Sequence, residues 1–477
     1  MSPSSAEIAA PRLLRRQNIA PLILVNLGVG LHATIWFMAT TAMPSAVEEL
    51  DAAAYLSWAT SLYLMTSILG GSMLPPVKSH FGPRNSMMVA GLVVVAGGVL
   101  AAIAPNVGFI LAGRAIQGLG EGFLLALSYT LVRELFDNAL VPRVNGVEAV
   151  TWATAVFIGP MLGGWLTDLG TWRLAFFGSG LLPLPMMALG WVILRRHPYT
   201  KQAQTAPLLR LSMLAIGVMA IAVADRFPAL LPNALGQALG FAAVPFGIFL
   251  IGSTIGLDRR CRQKLFPTAF PGFKHPASLG IWVLALMALS EAAVYVYGPY
   301  ILQLYRGLTP TMAGYFGAIH AIAWSLTAIV VAPLAPRFHN IAILAGPTSL
   351  ALGLAGLSLT MAESPLSVIA VAMVFIGCGF GICYAFVTQR VMGTAEPGEE
   401  DATIASMSTL FGMGGAISAA VSGLVGNSIG LDGALTTEIV DQAALALFGG
   451  GTLLALLALL CAWRLIRAYA AHQQTRG

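Results

Sequence analysis

Long apolar stretches constrain this chain more than any other feature. Fourteen of them could each cross a bilayer, and they fall into a six–two–six pattern. A hydrocarbon core of about 30 Å takes ~20 apolar residues as helix. The predicted spans are 19–43, 53–75, 86–105, 107–132, 146–168, 173–195, 208–227, 236–256, 276–304, 311–335, 340–361, 365–390, 402–430 and 442–464. Lipid offers backbone groups no hydrogen-bond partners, so spans of this length are helices. The expected fold is an all-α polytopic membrane protein: 14 transmembrane helices, as two six-helix bundles plus two inserted helices. Hydrophobic residues make up 57% of the chain and charged residues 9%, whereas soluble domains carry roughly 25% charge. A soluble fold has no core large enough for this much apolar surface.

The basic residues test the span list through the positive-inside rule. Arg12, Arg15 and Arg16 precede the first span, which places the N-terminus in the cytoplasm. Every second loop is then basic, with Lys78 and Arg84, Arg133 and Arg143, and Arg259 to Lys264 among the examples. Of the 25 Lys and Arg, all except Arg114, Arg173, Arg226 and Arg306 fall on the cytoplasmic side. Both termini are therefore expected in the cytoplasm and the protein in the cell (inner) membrane. This alternation also explains the basic balance without nucleic acid. The first apolar segment is too long for a cleaved signal peptide. Four cysteines imply no disulfide framework. The predicted divisions are a cytoplasmic segment at 1–18, an N-terminal bundle at 19–195, a linker with two inserted helices at 196–275, a C-terminal bundle at 276–464 and a tail at 465–477.

Two local matches point to internal duplication. Gly118, Gly120 and Gly122 in QGLGEGF match Gly377, Gly379 and Gly381 in IGCGFGI, at an offset of 259 residues. PPVKSHFGPR after the second span matches APLAPRFHN after the tenth, at an offset of 257. Related halves with a site near the midplane are a common transporter plan.

Several motifs then resemble those of the major facilitator superfamily, in its 14-helix drug:proton antiporter branch. GRAIQGLG, with Arg114, Gln117, Gly118 and Gly120, is similar to the family's helix-4 motif. FIGPMLGGWL, with Gly159, Pro160, Gly163 and Gly164, is similar to its helix-5 antiporter motif, and TWRLAFF follows in place. The resemblance implies a proton-driven exporter with a sealing seam at helix 5. Two departures stand beside it. Ser79 occupies the place of the family's loop Asp, while Gly82 and Arg84 remain, and Ile35 occupies the place of its helix-1 acid.

Ionisable groups at mid-bilayer cost roughly 2.5–3.5 kcal/mol each on insertion scales, so they face a cavity or a partner. His32, Glu121, Glu291 and His320 lie near the centres of spans 1, 4, 9 and 10. A carboxyl in an apolar setting favours its neutral form, and imidazole exchanges protons near neutral pH. These four, with Arg114, are the candidate proton-coupling residues. Both carboxyls are expected to open on one shared polar vestibule midway through the lipid. On helix 4, Arg114, Gln117, Gly118 and Glu121 share one face, with Arg114 and Glu121 roughly 10 Å apart along the axis. Glu291 precedes Tyr295, Tyr297 and Tyr300, and Trp36 and Trp324 follow His32 and His320 at i+4. Trp36, Gln117, Glu291, Tyr295 and Trp324 are the candidate substrate contacts, since carboxyl and aromatic groups together suit a lipophilic cation. Gly159, Pro160, Gly163, Gly164, Gly82 and Arg84 form the candidate gating and packing set. For each buried charge the competing reading is a structural polar network between helices.

The leading function is therefore a proton-coupled secondary exporter of amphipathic or lipophilic small molecules, multidrug-efflux-like and working by alternating access. The alternative is a facilitator or proton symporter for a small organic solute on the same fold. No nucleophile–base arrangement supports an enzyme. No Walker lysine motif supports ATP drive, and no pair of histidines at ligand spacing supports a metal. The expected partners are substrate, protons and lipid, with no cofactor beyond the proton gradient. In a two-membrane cell a periplasmic adaptor would be a further partner.

Overall fold

The computed structural model describes residues 13–196, 206–231, 233–261 and 264–476. The membrane helices are α1 (Arg16–Glu49), α2 (Leu56–Ser72), α3 (Leu74–Ala102), α4 (Val107–Leu135), α5 (Val141–Asp168), α6 (Trp172–Ile193), α7 (Leu208–Val223), α8 (Ala234–Asp258), α9 (Pro276–Leu304), α10 (Pro310–Val331), α11 (His339–Thr360), α12 (Leu366–Gly393), α13 (Glu400–Ile429) and α14 (Thr437–Gln474). Among the described residues, twelve helices are long and apolar enough to cross a membrane, against the fourteen predicted. The other two are α2, with 17 residues, and α7, with 16. The helix α2 stops short of Pro75 and Pro76, and α7 ends at the polar turn that holds Asp225 and Arg226.

The segment PPVKSHFGPR, expected as a loop, is helical. Backbone N–H groups of Met73 and Val77 donate to the carbonyls of Leu69 and Met73, which prolongs α2 through the start of α3. The direction changes at one residue, Gly82, with φ 76° and ψ 162°. Only glycine adopts that backbone readily. Ser79 donates to the Pro76 carbonyl, so its hydroxyl is spent locally. Arg84 stacks on Trp191 of α6, 3.2 Å from the ring centroid. At its other end α1 runs on to Glu49, so Glu48 and Glu49 sit on the last helical turn and not in a loop.

Packing partners repeat with a shift of eight helices. In the first part α1 packs on α5 and α6, α2 on α4, and α3 on α4 and α6. In the second part α9 packs on α13 and α14, α10 on α12, and α11 on α12 and α14. The two parts meet where α5 packs on α10 and α2 on α13. Glycine contacts give the same relation at single residues. Gly118 and Gly122 abut the carbonyls of Tyr63 and Ser67, and Gly377 and Gly381 abut those of His320 and Trp324. The offset is 259 residues for the glycines and 257 for their partners. The helix α7 packs on α8 and also on α2 and α13, one from each part.

Call the end that carries the N-terminus of α1 the near end. All three loop arginines predicted on the opposite side lie at the far end, and each makes bonds there. Arg173 pairs with Glu49 and donates to the Ala104 carbonyl at 3.1 Å. Arg226 contacts Asp225 and Asp432. Arg306 donates to the carbonyls of Met361, Ala362 and Ser364, which close the end of α11. Arg12, Lys201 and Arg262, counted with the near-end charges, lie outside the described residues.

Candidate functional site

The four mid-membrane ionisable groups form two carboxyl–histidine pairs. In the first part, His32 of α1 points Nδ1 at Glu121 Oε1 of α4, 3.1 Å away. In the second, His320 of α10 points Nε2 at Glu291 Oε2 of α9, 3.2 Å away. Each pair spans two helices, so each carboxyl finds its partner across a seam and not along its own helix. Neither contact has hydrogen-bond alignment. The pairs differ in their access to water. Glu121, Glu291 and His320 are buried, whereas the His32 side chain keeps 17% of its surface exposed.

Aromatic rings connect the pairs. His32 lies 6.4 Å from the Tyr63 ring of α2 and 5.7 Å from the Trp152 ring of α5. Trp36 packs on Tyr63 at 5.5 Å and on Tyr295 of α9 at 6.3 Å. The Tyr295 hydroxyl and His320 Nδ1 share a hydrogen bond of 2.7 Å. His320 thus uses one ring nitrogen toward Glu291 and the other toward Tyr295. Trp324 stacks on Phe380 at 4.7 Å behind His320.

This geometry corrects the expected shared vestibule. Glu121 and Glu291 sit in separate seams, α1–α4 and α9–α10, with the Trp36–Tyr295 contact between them. Two cavities border the junction and the far end, and neither is lined by either carboxyl. One lies among Phe37, Thr41, Tyr295 and Gly298. The other is a far-end cleft of about 410 Å³ that includes Glu48, Glu49 and Asp168. The cause is volume: large aromatic rings fill the midplane between the two parts.

Other predicted residues fall elsewhere. Arg114 does not reach Glu121. It donates to Gln117 Oε1 and lies 3.9 Å above the Tyr63 ring. Gln117 is fully buried and donates to Ser179 of α6 at 3.1 Å, which makes it a strut between α4 and α6. Tyr297 and Tyr300 turn away from Glu291. Tyr297 packs near Gly423 and Gly426 of α13, and Tyr300 donates to the Leu431 carbonyl at 2.8 Å.

The helix-5 glycines form the far-end seam. Gly159 and Gly163 press on Phe37 and Met38 of α1, and Gly164 presses on Thr311 of α10. Pro160 faces Gly314, and Thr311 donates to Asp168 at 2.6 Å. Gln303 of α9 donates to the Thr41 carbonyl at 2.9 Å. Small residues let these backbones touch, so the two parts close on each other at this end.

Tyr63 and Trp152 escaped the sequence reading because neither carries charge or exchanges protons near neutral pH. A usable signal for Tyr63 existed: the 257-residue offset maps it onto His320.

Comparison with known proteins agrees with this architecture. A probable multidrug-efflux transporter of Mycobacterium tuberculosis is 29% identical over 441 residues, covering 90% of this chain and 92% of that protein. An MFS-type transporter of Metarhizium majus is 32% identical over 175 residues, 36% of this chain and 30% of that one. Among solved structures, a peptide transporter POT in complex with sulfate aligns with a TM-score of 0.67 at 16% identity, over 94% of this chain and 95% of that one. The nucleoside transporter NupG aligns with a TM-score of 0.64 at 13% identity, over 92% and 99%. The structural likenesses speak for the fold alone. The family model of the Major Facilitator Superfamily matches residues 25–419, most of the chain, and the protein belongs to that superfamily of transporters, which are not enzymes.

Proposed function

We propose that this transporter is a proton-coupled exporter of amphipathic or lipophilic small molecules, built as two six-helix bundles with α7 and α8 inserted between them. In this reading α2 and α7 complete fourteen spans, the near end is cytoplasmic, and the protein sits in the cell (inner) membrane with both termini inside. The observation that carries it is the pair of carboxyl–histidine contacts, one in each half, joined through Trp36 and Tyr295. The relative of similar length is named for multidrug efflux, which supports export. His32, the one member of the two pairs with accessible surface, is the group through which Glu121 exchanges protons. Glu291 and His320 are buried and Tyr295 borders a cavity, so a change in the proton content of this chain changes the contacts that hold α9 to α10. Rocking of the halves follows when the Trp36–Tyr295 contact reorganises. Substrate and proton share the energetics of this contact without sharing one cavity.

Inside-out vesicles with an imposed pH gradient test this reading. Substrate addition is expected to evoke proton release in the wild type and not in the double variant Glu121→Gln, Glu291→Gln. Proton release that survives in the double variant removes both carboxyls from coupling.

The separation of the two carboxyls favours one second reading, a facilitator or symporter for a small organic solute. Counterflow of solute without proton movement would support it.

A further inference from the structure

The inserted hairpin α7–α8 contributes nothing to either carboxyl–histidine pair, yet polar contacts fix it at both ends. Its two helices form one unit. Gly217 of α7 and Gly247 of α8 each abut the other's carbonyl, and small residues let backbones touch in lipid. Phe241, Ile248 and Phe249 of α8 are exposed, so α8 is the lipid side of the hairpin. The inner helix, α7, packs on α2 of the first part and on α13 of the second. At the near end the hairpin is bolted to the second part. Arg210 of α7 pairs with Asp258 at the end of α8, and both are buried. Asp258 also accepts from the backbone N–H groups of Leu265 and Phe266, at 2.8 and 3.0 Å. The linker is held in turn by Glu399, which accepts from Lys264 at 2.8 Å and from the Thr268 N–H at 2.9 Å. Trp282 of α9 donates to the Pro271 carbonyl at 3.1 Å. Glu399 and Trp282 both belong to the second part, so a rocking motion carries the hairpin with that part.

The far end joins three elements at one amide. Asp225, in the turn that follows α7, accepts from Asn427 Nδ2 of α13 at 2.7 Å. The same nitrogen donates to the Ala54 carbonyl at 2.9 Å, in the short turn between α1 and α2 of the first part. A side-chain amide has two N–H groups, so one faces the hairpin and the other grips the first part. Arg226 contacts Asp432 and keeps the α7 turn against the end of α13. Below this joint, Ser57 of α2 lies against Gly423 of α13, and Ser61 donates to the Ala416 carbonyl at 3.1 Å. Asn427 therefore caps a continuous α2–α13 seam. The terminal torsion of asparagine is broad, and a charged acceptor makes the stronger hydrogen bond, so Asp225 sets the orientation of the amide.

We propose that α7–α8 is a brace for far-end closure, in which Asp225 orients the Asn427 amide so that the second part grips the first at Ala54. Opening the far end breaks the bond from Asn427 to Ala54. The bond from Asn427 to Asp225 joins two elements that move together, so it survives and returns the amide ready to close again. The brace rests on the alternating-access reading above and not on proton coupling.

Accessibility of the α2–α13 seam tests the brace in the full-length protein, in membrane vesicles of either orientation. The reporter is Ser61→Cys, at a fully buried position, with the four native cysteines replaced by Ser. The probe is a membrane-impermeant maleimide. Asn427→Ala and Asp225→Ala are each expected to raise labelling from the far side at least about fivefold, the scale of a lost hydrogen bond to a charged group, with no rise from the near side. Asp225→Asn keeps an oxygen acceptor for Asn427 and is expected to stay closer to the wild type than Asp225→Ala, which guards against a folding defect. Asp225 acts through Asn427, so the double Ala variant is expected to label no faster than Asn427→Ala alone. Tyr300→Phe removes a bond of the same region, to the Leu431 carbonyl, that lies wholly within the second part. It is expected to stay within about twofold of the wild type. Unchanged far-side labelling in Asp225→Ala, an equal rise from both faces, or a double variant whose effect is the product of the two singles overturns the proposal. A rise in Tyr300→Phe as large as that in Asn427→Ala also overturns it. Proton release is a separate readout, so coupled export and the brace can fail independently.

Discussion

Gly164→Ala is the sharpest perturbation of the far-end seam. An added Cβ would lie 2.6 Å from the Thr311 nitrogen, with the Thr311 Cα and hydroxyl oxygen also inside contact distance. Non-bonded heavy atoms settle near ~3.5 Å, so α5 and α10 must part by about 1 Å at this point. Neither side can yield by a rotamer change, since the obstruction is backbone. Parting the helices also strains the 2.6 Å bond from Thr311 to Asp168 and draws Pro160 off Gly314. Overpacking of this kind costs ~1–3 kcal/mol, and the cost falls only on the conformation in which the far end is closed. A penalty of that size shifts a two-state equilibrium by roughly 5- to 150-fold. Thr41 reports the shift: it is 1% exposed in the closed seam, where its carbonyl accepts from Gln303. In a background with Cys261, Cys378, Cys383 and Cys461 replaced by Ser, Thr41→Cys is labelled with a membrane-impermeant maleimide from each face in turn. Gly164→Ala is expected to raise the labelling rate from the far side by at least about fivefold. An unchanged rate in a variant that elutes as a folded monodisperse protein refutes the steric argument.

Two further outcomes follow from contacts away from that seam. Tyr295→Phe removes the hydroxyl on His320 Nδ1 and leaves a buried ring nitrogen without its partner, so the variant is expected to lose ~1–3 kcal/mol of stability; thermal unfolding in detergent that matches the wild type contradicts the bond. Glu399, in the loop before α13, concerns acid stability: burial opposes its charge, but Lys264 at 2.8 Å, together with the Thr268 hydroxyl and backbone N–H, outweighs burial and holds its carboxyl below the ordinary range. A depressed carboxyl stabilises the fold above the ordinary carboxylate pKa and loses that contribution as pH falls through its folded value. Glu399→Gln is therefore expected to lower the melting temperature at neutral pH and to narrow its gap to the wild type in acid, measured by melting curves from pH 7 to pH 3.

Helix positions were legible in the sequence because lipid imposes one rule on every span: enough apolar length and no unsatisfied backbone. Predicted and observed bounds coincide at 276–304 and part most at the third span, which starts at Leu74 against a predicted 86, and at the last, which ends at Gln474 against a predicted 464. Where charge or proline intervenes, apolar length misleads. The turn at Asp225–Arg226 shortens α7, and proline after the second span gives a helix with one glycine break instead of a loop. The ionisable candidates His32, Glu121, Glu291 and His320 stood out from cost alone, as groups near the centres of their spans. Their pairing did not. A contact between α1 and α4, or between α9 and α10, depends on helix rotation, which the pattern of one sequence constrains only loosely.

The repeat explains why the two pairs differ. An offset of 259 residues maps His32 onto Glu291 and Trp36 onto Tyr295, and an offset of 257 maps Tyr63 onto His320. The same structural positions are therefore used in both halves, with acid and imidazole exchanged between them. In the first half the imidazole stands on α1, its acid lies on α4, and a tyrosine ring of α2 fills the place of the second histidine. In the second half the acid stands on α9, and the position matching Glu121 is Phe380. One consequence is that, of the two pairs, only the first has a member with accessible surface, His32, whereas Glu291 and His320 are both buried. A second is that Trp36 and Tyr295, equivalent by descent of position, meet each other across the junction. Any rocking motion about that junction must change this contact first. Tyr295 is also hydrogen-bonded to His320, so the same motion acts directly on the Glu291–His320 pair while reaching the His32–Glu121 pair only through ring packing. An exporter built this way would exchange protons on one side of the junction and register them on the other, which is the asymmetry a gradient-driven cycle requires.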